Sequence, residues 1–384
     1  MCGICSQHCP TYALSANENE SPRGRLALID AYNQGQLALS DTLQAHLDHC
    51  LGCRACERAC PSQVEFGEIM DRARDLIEPR RPASLRKRLG HALLGHRRLL
   101  RAALGSLRWA QRSGIAAATG NVPPIPASPR WRSHYPPAGK ARGEVALFLG
   151  CVNERLGQEE LRAGIRLLNA LGYGVHVPRA QTCCGALHRH NGALGQAKKL
   201  ARKNLRAFAK LQVEAILHTA SGCTSALREY ERLLAAGTAS GFGAPVEDIN
   251  HFLSTRDWPA GIRLAPLPRR VAVHTPCSLK NVLRQGEAPF RLLRRIPAID
   301  LVALPDDGYC CGGAGSYPLT QPGLAARLRE NTLTALRESA AELLVTSNIG
   351  CALHLRAGLR ETDGDMEVVH PLTLLARQLG GSGD

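Results

Sequence analysis

The sequence predicts a mixed α and α/β fold, in which a helical, cysteine-rich head is followed by two repeated α/β units with parallel sheets. Three observations predict it. Residues 1–78 hold two cysteine runs set in polar, helix-forming sequence; residues 144–384 repeat one cysteine pattern with its spacing kept to within a residue; and the stretch between is basic, then proline-rich. The expected divisions are a head at 1–78, a basic helical linker at 79–143, and two units at 144–262 and 263–384.

With 384 residues the chain can build two or three cores, so its fifteen cysteines are not needed as staples. No apolar run reaches the length of a membrane span, and the N-terminus lacks the basic start and apolar stretch of a signal peptide. A cytoplasmic location is expected, where thiols stay reduced and clustered cysteines bind metal more often than they form disulfides.

In the head, Ser21-Pro22 reads as a helix start, and LALIDAYNQGQLA and TLQAHLDH lack strand alternation. The strongest chemical signal is CLGCRACERACP, with Cys50, Cys53, Cys56 and Cys60-Pro61 at C-x2-C-x2-C-x3-C-P spacing. Three thiolates so spaced wrap three irons of one cubane, and the fourth is carried away to the other cluster of a two-cluster ferredoxin. The opening MCGICSQHCP holds the same run without its first cysteine: Cys2, Cys5 and Cys9-Pro10. Cys50, Cys53 and Cys56 with Cys9 then complete one [4Fe-4S] site, while Cys2 and Cys5 with Cys60 supply three ligands to a second. The absent cysteine belongs two places before Met1, and an internal methionine taken as the start is the expected explanation. Otherwise the second site is a [3Fe-4S] centre, borrows another ligand or does not form. His8 reads as a loop residue. Structural zinc, which also takes four cysteines, is the bland alternative. Two reciprocally ligated clusters imply single-electron transfer.

The formal charge of +15 is localised: between Pro79 and Gly143 there are 14 Lys and Arg and no acidic residue, against 34 basic and 33 acidic elsewhere. Leu85, Leu89, Leu93, Leu100, Leu104 and Leu107 recur at helical spacing among the arginines, giving one or two amphipathic basic helices. NVPPIPASPRWRSHYPPAG then reads as an extended linker.

The repeat appears when the cysteines are aligned. In the first unit 31 residues separate Cys151 from Cys183-Cys184-Gly185, and 38 separate Cys184 from Cys223. In the second the gaps are 32, from Cys277 to Cys310-Cys311-Gly312, and 39, from Cys311 to Cys351. EVALFLG, YGVHVP and VEAILHTASG lead to the cysteines of the first unit, and RRVAVHTP, IDLVALP and AELLVTSNIG to those of the second. Such β-branched runs, alternating with helical stretches like GQAKKLARKNLRAFAKL, predict parallel sheets. Loops at the carboxyl ends of neighbouring parallel strands converge, so the four cysteines of each unit should share a pocket. These pockets suit an iron-sulfur cluster, zinc or thiol-disulfide chemistry. His251 and His370 follow the two units in similar places and read as structural histidines.

Taken together, CGICSQHCPTY, ESPRGRLALI, HLDHCLGCRACERACPS, the two CCG units, CCGGAGSYPLTQPGLAARL and SNIGCALHL resemble the iron-sulfur subunit of bacterial glycolate oxidase over nearly the whole chain, least across the linker. The cluster motif is shared with subunits of glycerol-3-phosphate dehydrogenase and heterodisulfide reductase; CCGGAGSY and SNIGC favour glycolate oxidase. The resemblance implies that a separate FAD-containing flavoprotein subunit oxidises glycolate to glyoxylate and that this chain, inactive alone, carries electrons toward the respiratory chain. It places Cys9, Cys50, Cys53 and Cys56, and Cys2, Cys5 and Cys60, at the family's two cubane sites. In the related heterodisulfide reductase subunit each CCG unit has a fifth cysteine. Ala226 and His354 occupy that place here, so heterodisulfide chemistry is not carried over. A D-lactate or glycerol-3-phosphate dehydrogenase subunit, or a CCG-type thiol/disulfide reductase subunit, is the alternative.

No G-x-G-x-x-G fingerprint is present, so electrons must come from another protein. The arginine-rich segment is expected to dock on the flavoprotein or on the anionic inner membrane leaflet, near quinone, unless its leucines simply pack on the chain's own domains. Nucleic-acid binding is not expected: aromatic residues make up 4% of the chain, and the basic segment offers Trp109 without a stacking series.

Overall fold

The computed structural model describes residues 2–380 except 81–88, 91, 94, 114–123, 235–240, 306–309, 363 and 365. The head is helical. Ser21 caps the helix Pro22–Asn33, its Oγ accepting from the Gly24 amide at 2.9 Å, and Ser40 does the same for Asp41–Asp48 through the Leu43 amide. Short helices Ile4–Gln7 and Ala55–Ala59 pack together, and the amphipathic helix Phe66–Ile77 closes a small core of Ile29, Leu47, Phe66, Met70 and Ile77.

Nine strands, among the described residues, form two sheets. The first contains β1 (His134–Tyr135), β2 (Gly143–Leu147), β3 (Tyr173–His176), β4 (Ile216–His218) and β5 (Val246–Asp248), in the order β1-β3-β2-β4-β5. The second contains β6 (Arg270–His274), β7 (Asp300–Ala303), β8 (Leu343–Thr346) and β9 (Glu367–Val369), in the order β7-β6-β8-β9. Apart from β1, which runs antiparallel to β3, all pairings are parallel. The order β3-β2-β4-β5 maps onto β7-β6-β8-β9, so the repeat read from the cysteines is a repeat of topology. All six apolar runs singled out in the sequence contain strands. The short β5 and β9 carried no such signal.

The two units share one apolar core. Val145, Leu147, Val175 and Leu217 of the first sheet lie in the same buried cluster as Val271, Val273, Leu343 and Val345 of the second. The last helix, Pro371–Gln378, packs on the first unit's Gln158–Ala170.

Two parts of the segment read as a linker are tied to the first unit. His134 and Tyr135 are an edge strand, paired with His176 and Val175. Upstream, the basic helix Arg97–Arg112 is fastened to the first unit: Arg97 and Arg101 reach Glu154 Oε1 at 2.5 and 2.8 Å, and Arg97 donates to the Arg179 carbonyl at 2.9 Å. Glu154 is buried, which forces a cationic partner on it. Leu85 lies outside the described residues.

Candidate metal centres

All fifteen cysteines are free thiols. In the head, the loop between the helices Asp41–Asp48 and Ala55–Ala59 uses left-handed backbone at Gly52 and Arg54 (φ 64° and 57°), which turns successive cysteines toward one point. The result is a cavity lined by Cys9, Cys50, Cys53 and Cys56 together with Pro10, Arg25 and Phe66. Burial, then the neighbouring Cys50 and Cys9, pushes the Cys56 thiol upward. Arg25 is 1% exposed; its Nη1 lies 3.9 Å from Cys9 Sγ, and its other nitrogens hold Thr11, Glu20 and the His46 carbonyl. Glu20 in turn accepts from Arg25 at 2.5 Å and meets His46 and His49 at 2.6 and 2.8 Å. A fixed cation therefore stands against the thiols, where negative charge would gather on metal binding. Burial pushes the Cys5 thiol up. Cys2 precedes the helix Ile4–Gln7 and Cys5 lies within it; that helix packs on Ala55–Ala59, whose C-cap is Cys60.

In the first repeat, Cys151 follows β2, Cys183 and Cys184 follow β3, and Cys223 lies in the first turn of the helix Ser221–Arg228 after β4. Their sulfurs meet in two close pairs, Cys151–Cys183 at 3.4 Å and Cys184–Cys223 at 3.2 Å. Each pair favours one thiolate: Cys151 pulls the Cys183 thiol down, and Cys184 with His218 pulls Cys223 down. Asn204 donates to the Cys183 carbonyl and Tyr230 to the Cys184 carbonyl, fixing the vicinal pair from behind. The second repeat has the same arrangement, with Cys277 beside Cys310 and Cys311 beside Cys351.

The histidines fall differently from the cysteines. His370 caps the last helix and meets the Thr219 carbonyl, and His354 meets the Ala325 carbonyl, so both have structural partners. Cysteine spacing in the sequence does not point to His218 and His274. His274 places a ring nitrogen within 4.8 Å of both the Cys311 and Cys351 sulfurs, and burial holds its pKa down to about 4, keeping it neutral. The two histidines occupy different places in the aligned repeats, so cysteine alignment conceals them. His188 also acts on Cys183, but Gly315 stands at its place in the second unit.

The head sits against both repeats. Arg54 pairs with Glu57 and Glu229, and Arg189 with Glu229 and Asp71. Toward the second repeat, Asn281 donates to the Cys53 carbonyl at 2.9 Å and Tyr317 to the His49 carbonyl at 3.0 Å. Cys53 is consequently pushed up by burial and then by Cys277, which places the head cavity next to the second repeat's cysteines.

These features define an iron-sulfur protein: a four-thiol cavity in a ferredoxin-like head, coupled to two α/β cysteine pockets. The 4Fe-4S dicluster domain family matches residues 1–64, and the Cysteine-rich domain family matches 145–228 and 271–356. The probable glycolate oxidase iron-sulfur subunit of Bacillus subtilis is 31% identical, covering 99% of this chain and 93% of that protein. The glycolate oxidase iron-sulfur subunit of Escherichia coli is 33% identical, covering 94% and 89%. The chain belongs to the family of glycolate oxidase iron-sulfur subunits. Lactate utilization protein A of Bacillus velezensis is 25% identical over 59% of this chain and 96% of that protein. A solved hypothetical protein from Helicobacter pylori shares the fold with a TM-score of 0.53 at 9% identity; the match covers 88% of this chain and 64% of that one.

Proposed function

We propose that the chain is the electron-transfer subunit of a glycolate (2-hydroxy acid) dehydrogenase complex, receiving electrons from an FAD-containing flavoprotein subunit and passing them toward the respiratory chain. The observation that carries this reading is the cavity lined by Cys9, Cys50, Cys53 and Cys56, set beside Cys277 of the second repeat. Those four residues would hold one [4Fe-4S] cluster, and Cys2, Cys5 and Cys60 would serve a second. Clusters at these sites supply one-electron transfer. The chain's own contribution is to shield the thiols from water, to set Arg25 against Cys9, and to fix the head on the second repeat through Asn281 and Tyr317. Cys151, Cys183, Cys184 and Cys223, and Cys277, Cys310, Cys311 and Cys351, would hold a further iron-sulfur centre or zinc in each repeat.

The chain is inactive by itself on this reading, because the flavin and the substrate pocket belong to the partner. Among the described residues no helix is long and apolar enough to cross a membrane. Contact with the inner membrane leaflet or with the flavoprotein falls to the helix Arg97–Arg112, whose Leu99 and Trp109 are 50% and 66% exposed. Supporting this, the segment from Pro79 to Gly143 has no acidic residue to oppose an anionic surface.

The test is coexpression with the flavoprotein. Cys53→Ser should leave reduction of flavin by glycolate intact while abolishing onward transfer to a quinone analogue. Onward transfer at the wild-type rate would overturn the proposal. A preference for D-lactate over glycolate in the same assay would favour the second reading, which the likeness to lactate utilization protein A supports.

A further inference from the structure

The two repeats can be superimposed strand by strand. On the register Ala146↔Ile216 and Leu147↔Leu217, Phe148 and His218 follow as the next cross-strand pair at the carboxyl ends of β2 and β4. On β6 and β8 the corresponding pair is His274 and Thr346. One histidine thus stands at the same rung of both sheets, contributed by opposite strands. In the second repeat Thr346 Oγ1 engages His274 Nδ1 at 2.9 Å, leaving Nε2 as the nitrogen with a lone pair to give. A ring held through its other nitrogen is the usual condition of a metal-bound histidine. In the first repeat the ring of Phe148 meets that of His218 edge-on at 5.4 Å, and His218 is 0% exposed with no oxygen or nitrogen partner at either ring nitrogen, the Cys223 thiol being its polar neighbour. A buried imidazole with no oxygen or nitrogen partner carries a desolvation cost that a metal ion at the pocket would remove.

Each ring lies by the last cysteine of its repeat: His274 by Cys351, with Cys311 in reach as well, and His218 by Cys223, the equivalent of Cys351. We propose that each repeat binds its metal centre with five donors, four cysteines and this one histidine: His218 in the first repeat and His274 in the second. The inference rests on the reading of the cysteine pockets as metal sites. The fifth donor is therefore nitrogen, and it comes from the inner strands of the sheets rather than from the positions of Ala226 and His354.

The experiment uses the full chain purified anaerobically, with metal and sulfide counted before and after exposure to a chelator, and with pulsed EPR or X-ray absorption to detect a bound imidazole. His274→Phe should lower chelator resistance of the second repeat's metal by about tenfold or more. His274→Phe/Thr346→His, which rewrites the second repeat's pair as the first repeat's, should restore both the metal and the nitrogen signal. A purely structural histidine would not be rescued in this way. If His274→Phe and His218→Phe keep full metal and chelator resistance while Cys311→Ser and Cys184→Ser lose it, the histidine proposal fails and the pockets stand. If the cysteine variants carry as much metal as the parent chain, the pocket reading itself fails.

Discussion

Gly185 and Gly312 follow the vicinal cysteine pairs because the chain there turns through left-handed backbone, at φ 86° and 79°. At Gly312 a Cβ would also come within 2.6 Å of the Ala325 carbonyl. Gly312→Ala should therefore destabilise the second repeat by roughly 1–3 kcal/mol and displace Cys310 and Cys311, measured as a lower denaturation midpoint and lost metal. The cysteines were legible in the sequence because their spacing carries the signal. The glycines were legible as part of the CCG motif, but their steric reason was not. Arg25 and Glu20 were invisible as a site: the sequence shows two ordinary charges in a helical region, and only the fold buries them beside Cys9. Because a fixed cation favours the more reduced, more negative state of a neighbouring centre, Arg25→Gln should lower the midpoint potential of the head cluster by roughly tens of millivolts. An unchanged potential in a redox titration would show that Glu20 already neutralises the arginine's influence.

At the scale of elements, strands and helices with strong apolar periodicity were legible, and those defined by tertiary contact were not. β1 hides in a proline-rich stretch because two residues of edge strand need no hydrophobic pattern, only the open edge of β3. The helix Arg97–Arg112 announced itself by leucine spacing, but the destination of its arginines depended on Glu154, far along the chain and buried under it. Reversing Arg97 and Arg101 to glutamate would therefore detach this helix from its own domain before it altered any docking. Glu154→Gln should likewise expose the segment to proteolysis, an increase of several-fold in cleavage rate within residues 97–112, with the head left resistant. Docking is tested more cleanly with Leu99→Ser/Trp109→Ser, which should reduce copurification with the flavoprotein or with anionic vesicles while leaving thermal stability nearly unchanged.

The molecule as a whole is held by a shared core and by ion pairs that bridge its parts, and neither was readable from linear motifs. Glu229 joins Arg54 of the head to Arg189 of the first repeat, so Glu229→Gln removes the common anion of two half-buried cations. Because Arg54 keeps Glu57 and Arg189 keeps Asp71, the loss should cost about 1–3 kcal/mol and loosen the head ahead of global unfolding. Hydrogen exchange of the helices Ala55–Ala59 and Phe66–Ile77 would report it.

Glu160 gives the molecule a pH signature. Burial raises its pKa from 4.5 to about 7, so the neutral form favoured by the fold is fully present below pH 4.5 and its stabilising contribution is lost as pH rises through 7. Glu160→Gln should therefore raise Tm at pH 8, by an amount on the order of 3 kcal/mol in stability, and change it little at pH 4.

In the function proposed above the head cavity receives electrons that originate in glycolate, and this transfer can be followed directly. Its most direct measurement is rapid-mixing spectroscopy of the anaerobic complex with the flavoprotein, following the visible absorbance of the iron-sulfur clusters after glycolate is added. Bleaching is expected to follow flavin reduction in the parent complex and to be lost in Cys53→Ser while the flavin is still reduced. Flavin reduction without cluster bleaching in the parent complex, with clusters present and reducible by dithionite, would contradict it.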